Sequence, residues 1–199
     1  MDKLIEEMER YAREYDIPIM QKEGLVFFQK LIVENHIKSI LEIGSAIGYS
    51  AIQLARLDPD MHIVTIERDD ERYVKAVENI DKSGLKNQIE LIHGDALEVD
   101  IDGSFDCIFI DAAKAQYIRF FEKYEKLLKE DGIIVSDNLS FHGYVEHPER
   151  KMSRSLRGLV RKIKNYIVYL ENHEKYDTLF INEGDGLAIS RKKKTNMVE

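Results

Sequence analysis

Apolar residues along the 199-residue chain follow two different periods. Near the start, Leu4, Met8, Tyr11 and Tyr15 recur at helical spacing within residues 3–15, and GLVFFQKLIVENH (24–36) supports a second helix. From Ser39 onward short apolar runs take over, separated by helical patterns. SILEIG (39–44), HIVTIE (62–67), IELIHGD (89–95), FDCIFID (105–111) and GIIVSD (132–137) read as strands, with helices at 49–57, 70–83 and 116–130 between them. Such alternation predicts an α/β fold with a mostly parallel sheet covered on both faces. The end of the chain breaks the rhythm: YDTLFIN, the turn EGDG and LAISRK (176–192) predict an antiparallel hairpin added to that sheet.

Each predicted parallel strand carries an acid at its carboxyl end: Glu42, Glu67, Asp95, Asp111 and Asp137. Ligands of open α/β sheets bind beyond those ends, so the pattern gathers carboxylates into one crevice. Confined together they would raise each other's pKa unless cations or hydroxyl donors lay between them, which predicts a cationic, hydroxyl-rich partner and admits a metal. The competing use of Asp after a strand, strongest for Asp95, is a helix N-cap.

Composition narrows the setting. The length suits one core, 44% hydrophobic with 33% charged residues suits a soluble globular chain, and no run reaches the roughly 18 apolar residues of a membrane helix. The N-terminus MDKLIEEMER lacks a signal-peptide layout, and the single cysteine, Cys107, lies in an apolar run as a small buried hydrophobe. A cytoplasmic protein without a membrane partner is the expectation. Net charge is −8, yet Arg150–Lys164 (RKMSRSLRGLVRKIK) holds seven basic residues and no acid, so the rest of the chain carries −15. A basic face on an acidic body points to a particular anionic partner.

LEIGSAIGYS follows the first strand and opens a helix. Gly44 and Gly48 permit a tight turn and close backbone approach, Ser50 and the helix N-terminus offer donors to an anionic group, and Glu67 stands where an acid can accept both ribose hydroxyls. A nicotinamide enzyme should show G-x-G-x-x-G, but Ala46 stands at the second glycine.

EIGSAIGYS (42–50), Glu67, HGDA (93–96), FIDAAKAQY (109–117) and SDN (136–138) together resemble the cation-dependent O-methyltransferases of the catechol and caffeoyl-coenzyme A type, a likeness running from IPIMQKEG (17–24) to EGDGLAIS (183–190). The resemblance implies a Rossmann-like class I methyltransferase fold with a seven-stranded, mostly parallel sheet, an antiparallel C-terminal hairpin and helices on both faces. It divides the single domain 1–199 into N-terminal helices (1–37), a cofactor-binding core (38–137), a basic insertion and helix on the substrate side (138–170) and the hairpin (175–191). It also implies a homodimer and S-adenosylmethionine as methyl donor, with Met20, Glu42, Gly44, Gly48, Ser50, Glu67, Asp95, Ala96 and Asp111 on the cofactor side.

The family pattern assigns Asp111, Asp137 and Asn138 as ligands of Mg²⁺ or another divalent cation, and their oxygen-only chemistry agrees with a hard ion; Asp137-Asn138 as an Asx turn is the structural alternative. No Cys/His cluster suggests zinc. Methyl transfer from a sulfonium is an in-line displacement, so the acceptor oxygen has to be aligned and deprotonated. Lys114 fits the general base, or an electrostatic stabiliser of the oxyanion if it stays charged; a solvated lysine at a helix start is the plain alternative.

The acceptor needs two neighbouring oxygens, as in catechols or in 5-hydroxyuracil. Read as one helix, Arg150, Arg154, Arg157, Arg161 and Lys164 form a cationic stripe, with Lys151 beside it, opposite an apolar stripe of Leu156, Val160, Ile163 and Ile167. That stripe could hold a phosphate backbone while His142, Tyr144 and His147 stack on a base. A basic insertion at this place resembles the tRNA-modifying branch of the family, which makes 5-methoxyuridine at the wobble position. The favoured expectation is therefore a tRNA anticodon-region substrate, ahead of small catechols or hydroxycinnamoyl-coenzyme A phenols. A noncatalytic RNA-binding protein is the reading from another class. RKKK (191–194) is expected to be a frayed terminus.

Overall fold

A computed structural model describes residues 1–147 and 149–194. Helices α1 (Asp2–Glu14) and α2 (Lys22–Glu34) precede an alternating series: β1 (Ser39–Ile43), α3 (Tyr49–Ala55), β2 (His62–Glu67), α4 (Asp70–Ser83), β3 (Ile89–His93), β4 (Phe105–Ile110), α5 (Tyr117–Tyr124) and β5 (Leu128–Ser136). Helix α6 (Arg154–Glu171) and the hairpin β6 (Tyr176–Ile181) and β7 (Leu187–Lys192) follow. The seven strands stand in the order β3-β2-β1-β4-β5-β7-β6. The five strands β1 to β5 pair in parallel, whereas β7 runs antiparallel to both β5 and β6.

Alternation along the central strands builds two cores. Ile40, Cys107, Phe109, Ile133 and Val135 face one way, against Met8 of α1, Phe28 and Ile32 of α2, Ile52 and Leu54 of α3 and Ile80 of α4. Leu41, Ile43, Ile108, Ile110 and Ile134 face the other, against Phe120, Phe121 and Tyr124 of α5 and Ile163, Tyr166 and Leu170 of α6. Such near-continuous apolar strands are required when both faces are covered. Cys107 is fully buried and free, and burial pushes its thiol pKa up, so it packs as a hydrophobe. Among the described residues no helix is long and apolar enough to cross a membrane.

Several boundaries differ from the sequence pattern. The helix expected over 116–130 is a short α5 between two 3₁₀ turns, and residues 128–130 already belong to β5. Leu128 pairs with Phe105, and an irregularity before Cys107 absorbs the exposed Lys129–Asp131, so turn-forming residues sit inside a strand. Tyr15 lies outside α1 and is 59% exposed; the buried stripe is Ile5, Met8 and Ala12. The basic tail is not frayed at 191–193: Arg191 donates to Asn35 Oδ1 at 2.6 Å, Lys192 Nζ to Leu128 O at 3.2 Å, and Lys193 N–H to Lys175 O at 2.8 Å. Arg150 is not on α6 either. The helix starts at Arg154 because the Ser153 hydroxyl accepts the Leu156 N–H, an N-cap the stripe reading passed over.

Candidate active site

Strand order runs from β1 through β2 to β3 on one side and through β4 to β5 on the other, so the crevice beyond β1 and β4 is the topological switch point. Gly44 leaves β1 at φ +102°, and a Cβ there would lie 2.2 Å from the Asp111 carbonyl oxygen at the end of β4. Only glycine lets these strand ends approach so closely. Ala46, two residues on, is left-handed (φ 47°) although it has a Cβ. Its N–H donates to Glu67 Oε2 at 2.7 Å, while Glu67 Oε1 accepts the N–H groups of Arg68 and Asp69 at 3.0 and 2.9 Å. The acid at the end of β2 thereby holds a strained turn at the end of β1.

Two adjoining cavities open here. One, of about 230 Å³, is lined by Met20, Gly44, Ser50, Glu67, Asp95, Ala96 and Asp111, the cofactor-side residues expected from the sequence, together with Arg68 and Arg72. Ala96 is held in place from α5: Lys123 Nζ donates to the Ala96 and Val99 carbonyls at 3.0 and 2.6 Å, and the Tyr124 hydroxyl also donates to Ala96 O. Two expected cofactor residues are not on this wall. Gly48 is the left-handed N-cap of α3 and packs against Ala76 and Ile80 of α4. Glu42 does not reach the crevice: it is fully buried under the turn, where its carboxylate accepts the hydroxyls of Ser50 and Thr65. Burial pushes its pKa up to about 7 against those two hydrogen bonds.

The second cavity, about 540 Å³, shares Pro18, Ile19, Met20, Tyr49, Asp111 and Lys114 with the first and adds Asn138, Phe141, His142 and Asp185. Residues of α1, among them Glu9 and Arg13, close its far side. The Glu9 carboxylate accepts from the Tyr49 hydroxyl at 2.9 Å and from Lys22 Nζ at 2.8 Å, which clasps α1 to the start of α3. Lys114 Nζ stands 4.0 Å from Asp111 Oδ1, and both side chains are mostly covered, at 17% and 19% exposure. Lys114 is the first residue of a 3₁₀ turn, aimed into the junction of the cavities rather than into solvent.

Asp137 is buried behind this wall at 2% exposure; its Oδ1 accepts the Asn138 N–H at 2.7 Å, and its carbonyl accepts the Tyr117 hydroxyl at 3.0 Å. Asn138 is left-handed (φ 62°), which turns its amide toward the cavity. Burial pushes Asp111 upward in pKa, with Lys114 opposing and Asp185 adding to the shift. Asp137 is pushed well above the carboxylate range by burial and then by Asp111. Two carboxylates that resist ionisation beside an amide are an oxygen-rich site short of positive charge. Among the described residues no cluster of three His, Cys, Asp or Glu side chains has metal-holding geometry; the set of two aspartates and one asparagine is of another kind.

The predicted substrate residues separate. His142 borders the second cavity with its side chain 64% exposed. Arg150 folds back, donating to His142 O at 2.9 Å with its guanidinium 5.6 Å from the Tyr144 ring centre. His147 pairs with Glu149 at 3.1 Å. Lys151, Arg154, Arg157 and Arg161 are exposed, Lys164 is half-buried, and none of them borders either cavity. Asp185 and the α1 wall were not anticipated. Flanked by two glycines in a hairpin turn, Asp185 carries only a turn signal, and α1 reads as an ordinary amphipathic helix.

Comparison with known proteins fits this geometry. A family model described as O-methyltransferase matches residues 1–193. An Arabidopsis thaliana protein named as a candidate caffeoyl-CoA O-methyltransferase is 30% identical over 191 residues, covering 93% of this chain and 82% of that protein. The catechol O-methyltransferase of Niastella koreensis is 36% identical over 126 residues, 60% of this chain and 57% of its own length. A Staphylococcus aureus crystal structure, of another candidate caffeoyl-CoA O-methyltransferase, superimposes with a TM-score of 0.90 at 41% identity, covering 95% of this chain and 92% of that one. The match extends from the helix that closes the second cavity to the hairpin that supplies Asp185, and over that whole span the chain belongs to the O-methyltransferase family.

Proposed function

We propose that the chain transfers a methyl group from S-adenosylmethionine to one hydroxyl of a small phenol that carries a second oxygen beside it, a catechol being the simplest. The observation that carries this reading is the pair of cavities meeting at Asp111 and Lys114: one is walled by the residues suited to the donor, the other has room for a planar acceptor. A Bacillus cereus O-methyltransferase solved with S-adenosylhomocysteine (26% identity, TM-score 0.80, 97% of this chain and 92% of that one) supports the donor. The names of the relatives favour phenols over RNA.

Glu67 would accept the ribose hydroxyls, while Asp111 places a carboxylate where a sulfonium-bearing amino acid can be held. Asp111, Asp137 and Asn138 fit a hard divalent cation such as Mg²⁺, because all three offer oxygen and burial still pushes both acids up in pKa although the Lys114 ammonium opposes it. Such an ion supplies positive charge that lowers the pKa of a neighbouring hydroxyl and fixes its position. The chain's own residues do the rest. Ile17, Pro18, Ile19, Met20 and Phe141 would give the acceptor apolar surface to pack against, and Lys114, at the junction of the two cavities, would take the hydroxyl proton.

A second reading, methylation of 5-hydroxyuridine in tRNA, draws on one observation: Arg154, Arg157 and Arg161 are exposed at helical spacing on α6. One experiment tests both. Purified protein is incubated with methyl-labelled donor, Mg²⁺ and either a catechol panel or tRNA lacking 5-methoxyuridine. Label in catechols that disappears on chelation and returns with Mg²⁺ is the expected result. Label confined to tRNA, falling steeply with salt and less steeply after neutralising Arg154 and Arg157, would replace it with the second reading. Full turnover after exhaustive chelation would remove the metal from either.

A further inference from the structure

The geometry points to Asp185 as a positioning residue that sets which end of the Asn138 amide faces the cation site, an inference resting on the metal reading above. Asp185 lies in the β6–β7 turn, 47 residues beyond Asn138, yet it is only 4% exposed and lines the acceptor cavity. Its Oδ1 accepts the His142 N–H, and its Oδ2 lies 3.4 Å from Asn138 Nδ2 and 3.7 Å from His142 Nδ1. A carboxylate receiving a backbone N–H acts as an acceptor, and an asparagine can answer an acceptor only with its nitrogen. The Asn138 oxygen is thereby left for the cation. With the amide reversed, an N–H₂ group would face the ion and two oxygens would face each other.

The turn itself is anchored. Gly186 is left-handed (φ +83°), and a Cβ on it would come within 2.9 Å of Ser140 N; the Leu139 N–H donates to Gly186 O at 3.0 Å and the Ser140 N–H to Asp185 O at 2.8 Å. On its other side a Cβ on Gly184 would approach Gly24 N of α2 to 3.0 Å. The hairpin thus grips the loop after β5 at two successive backbone positions, Leu139 and Ser140, and presents Asp185 from a fixed frame. Left-handed Asn138, Phe141, His142 and Gly143 make that loop one that needs such support.

Mn²⁺ binding, followed by electron paramagnetic resonance on the full chain without cofactor or acceptor, tests the inference independently of turnover. In the unaltered protein Mn²⁺ should bind and Asp137→Ala should abolish it; no binding, or binding indifferent to Asp137→Ala, would remove the metal reading and this inference with it. Asp185→Asn should weaken Mn²⁺ at least fivefold while the melting temperature stays within a few degrees. The same change in an Asn138→Ala background should have less than a twofold effect. Unchanged affinity in the single variant, or an equal loss in that background, would overturn the positioning role alone, the second result meaning that Asp185 acts only through its charge. If Asp185→Asn fails to fold, the exchange Asn138→Asp with Asp185→Asn restores an amide–carboxylate pair with its senses swapped. Binding within about threefold of the original supports the inference, and loss in a folded double variant overturns it.

Discussion

Glu42 offers a test of the site's foundations that does not depend on the acceptor. Its carboxyl is fully buried between the Ser50 and Thr65 hydroxyls, with a pKa pushed up to about 7 from the ordinary 4.5. Because the folded-state pKa is the higher one, the folded protein holds this proton between about pH 4.5 and pH 7 while the unfolded chain releases it. The group's contribution to stability is therefore greatest below 4.5, falls as pH rises toward 7 and is level above. A displacement of this size corresponds to roughly 3 kcal/mol across that window. Glu42→Gln removes the proton while keeping the shape, and the amide can accept from one hydroxyl and donate to the other. Urea unfolding of both proteins from pH 4 to 8 provides the assay, and titrations common to both cancel in the difference. The variant should gain about 3 kcal/mol on the original between pH 4.5 and 7. Parallel profiles, or a difference that grows toward acid pH, would refute the assignment of the proton to Glu42.

Two further outcomes follow from the geometry of the crevice. Gly44→Ala should lose at least ~2 kcal/mol of stability and most cofactor affinity, read by thermal melting and calorimetry, because the new methyl meets the Asp111 carbonyl 2.2 Å away at a backbone angle alanine avoids; near-normal donor binding would contradict the close strand approach. Lys114→Ala should lower catechol turnover by roughly 10²-fold or more with donor affinity held within about twofold, the signature of a missing proton acceptor, and a matching loss of donor affinity would show that the lysine shapes the binding cavity instead.

The layered fold was legible because the strands are buried on both faces, which leaves unbroken apolar runs such as Cys107–Ile110, and because four of the five runs end on an acid. Gly44, Glu67, Asp111 and Asn138 were visible for the same reason: each stands at or just past a strand end, where a residue's place in the sequence fixes its place in the crevice. Glu42 was misplaced because it stands one residue before the end of β1, and with a period of two that residue points into the protein rather than along the strand. Arg150 was misplaced because a regular charge spacing says nothing about where a serine cap starts the helix. Asp185 was illegible for a different reason: its partners are separated from it by α6 and β6, and no local pattern encodes such a contact.

The order β5-β7-β6 means that β7 slides in between two strands made before it. Until Leu187–Lys192 has been made, β5 has no partner along its outer edge. A chain cut short of that point keeps a bare edge on β5, a template for pairing with another chain, and leaves the turn that carries Asp185 without its second strand.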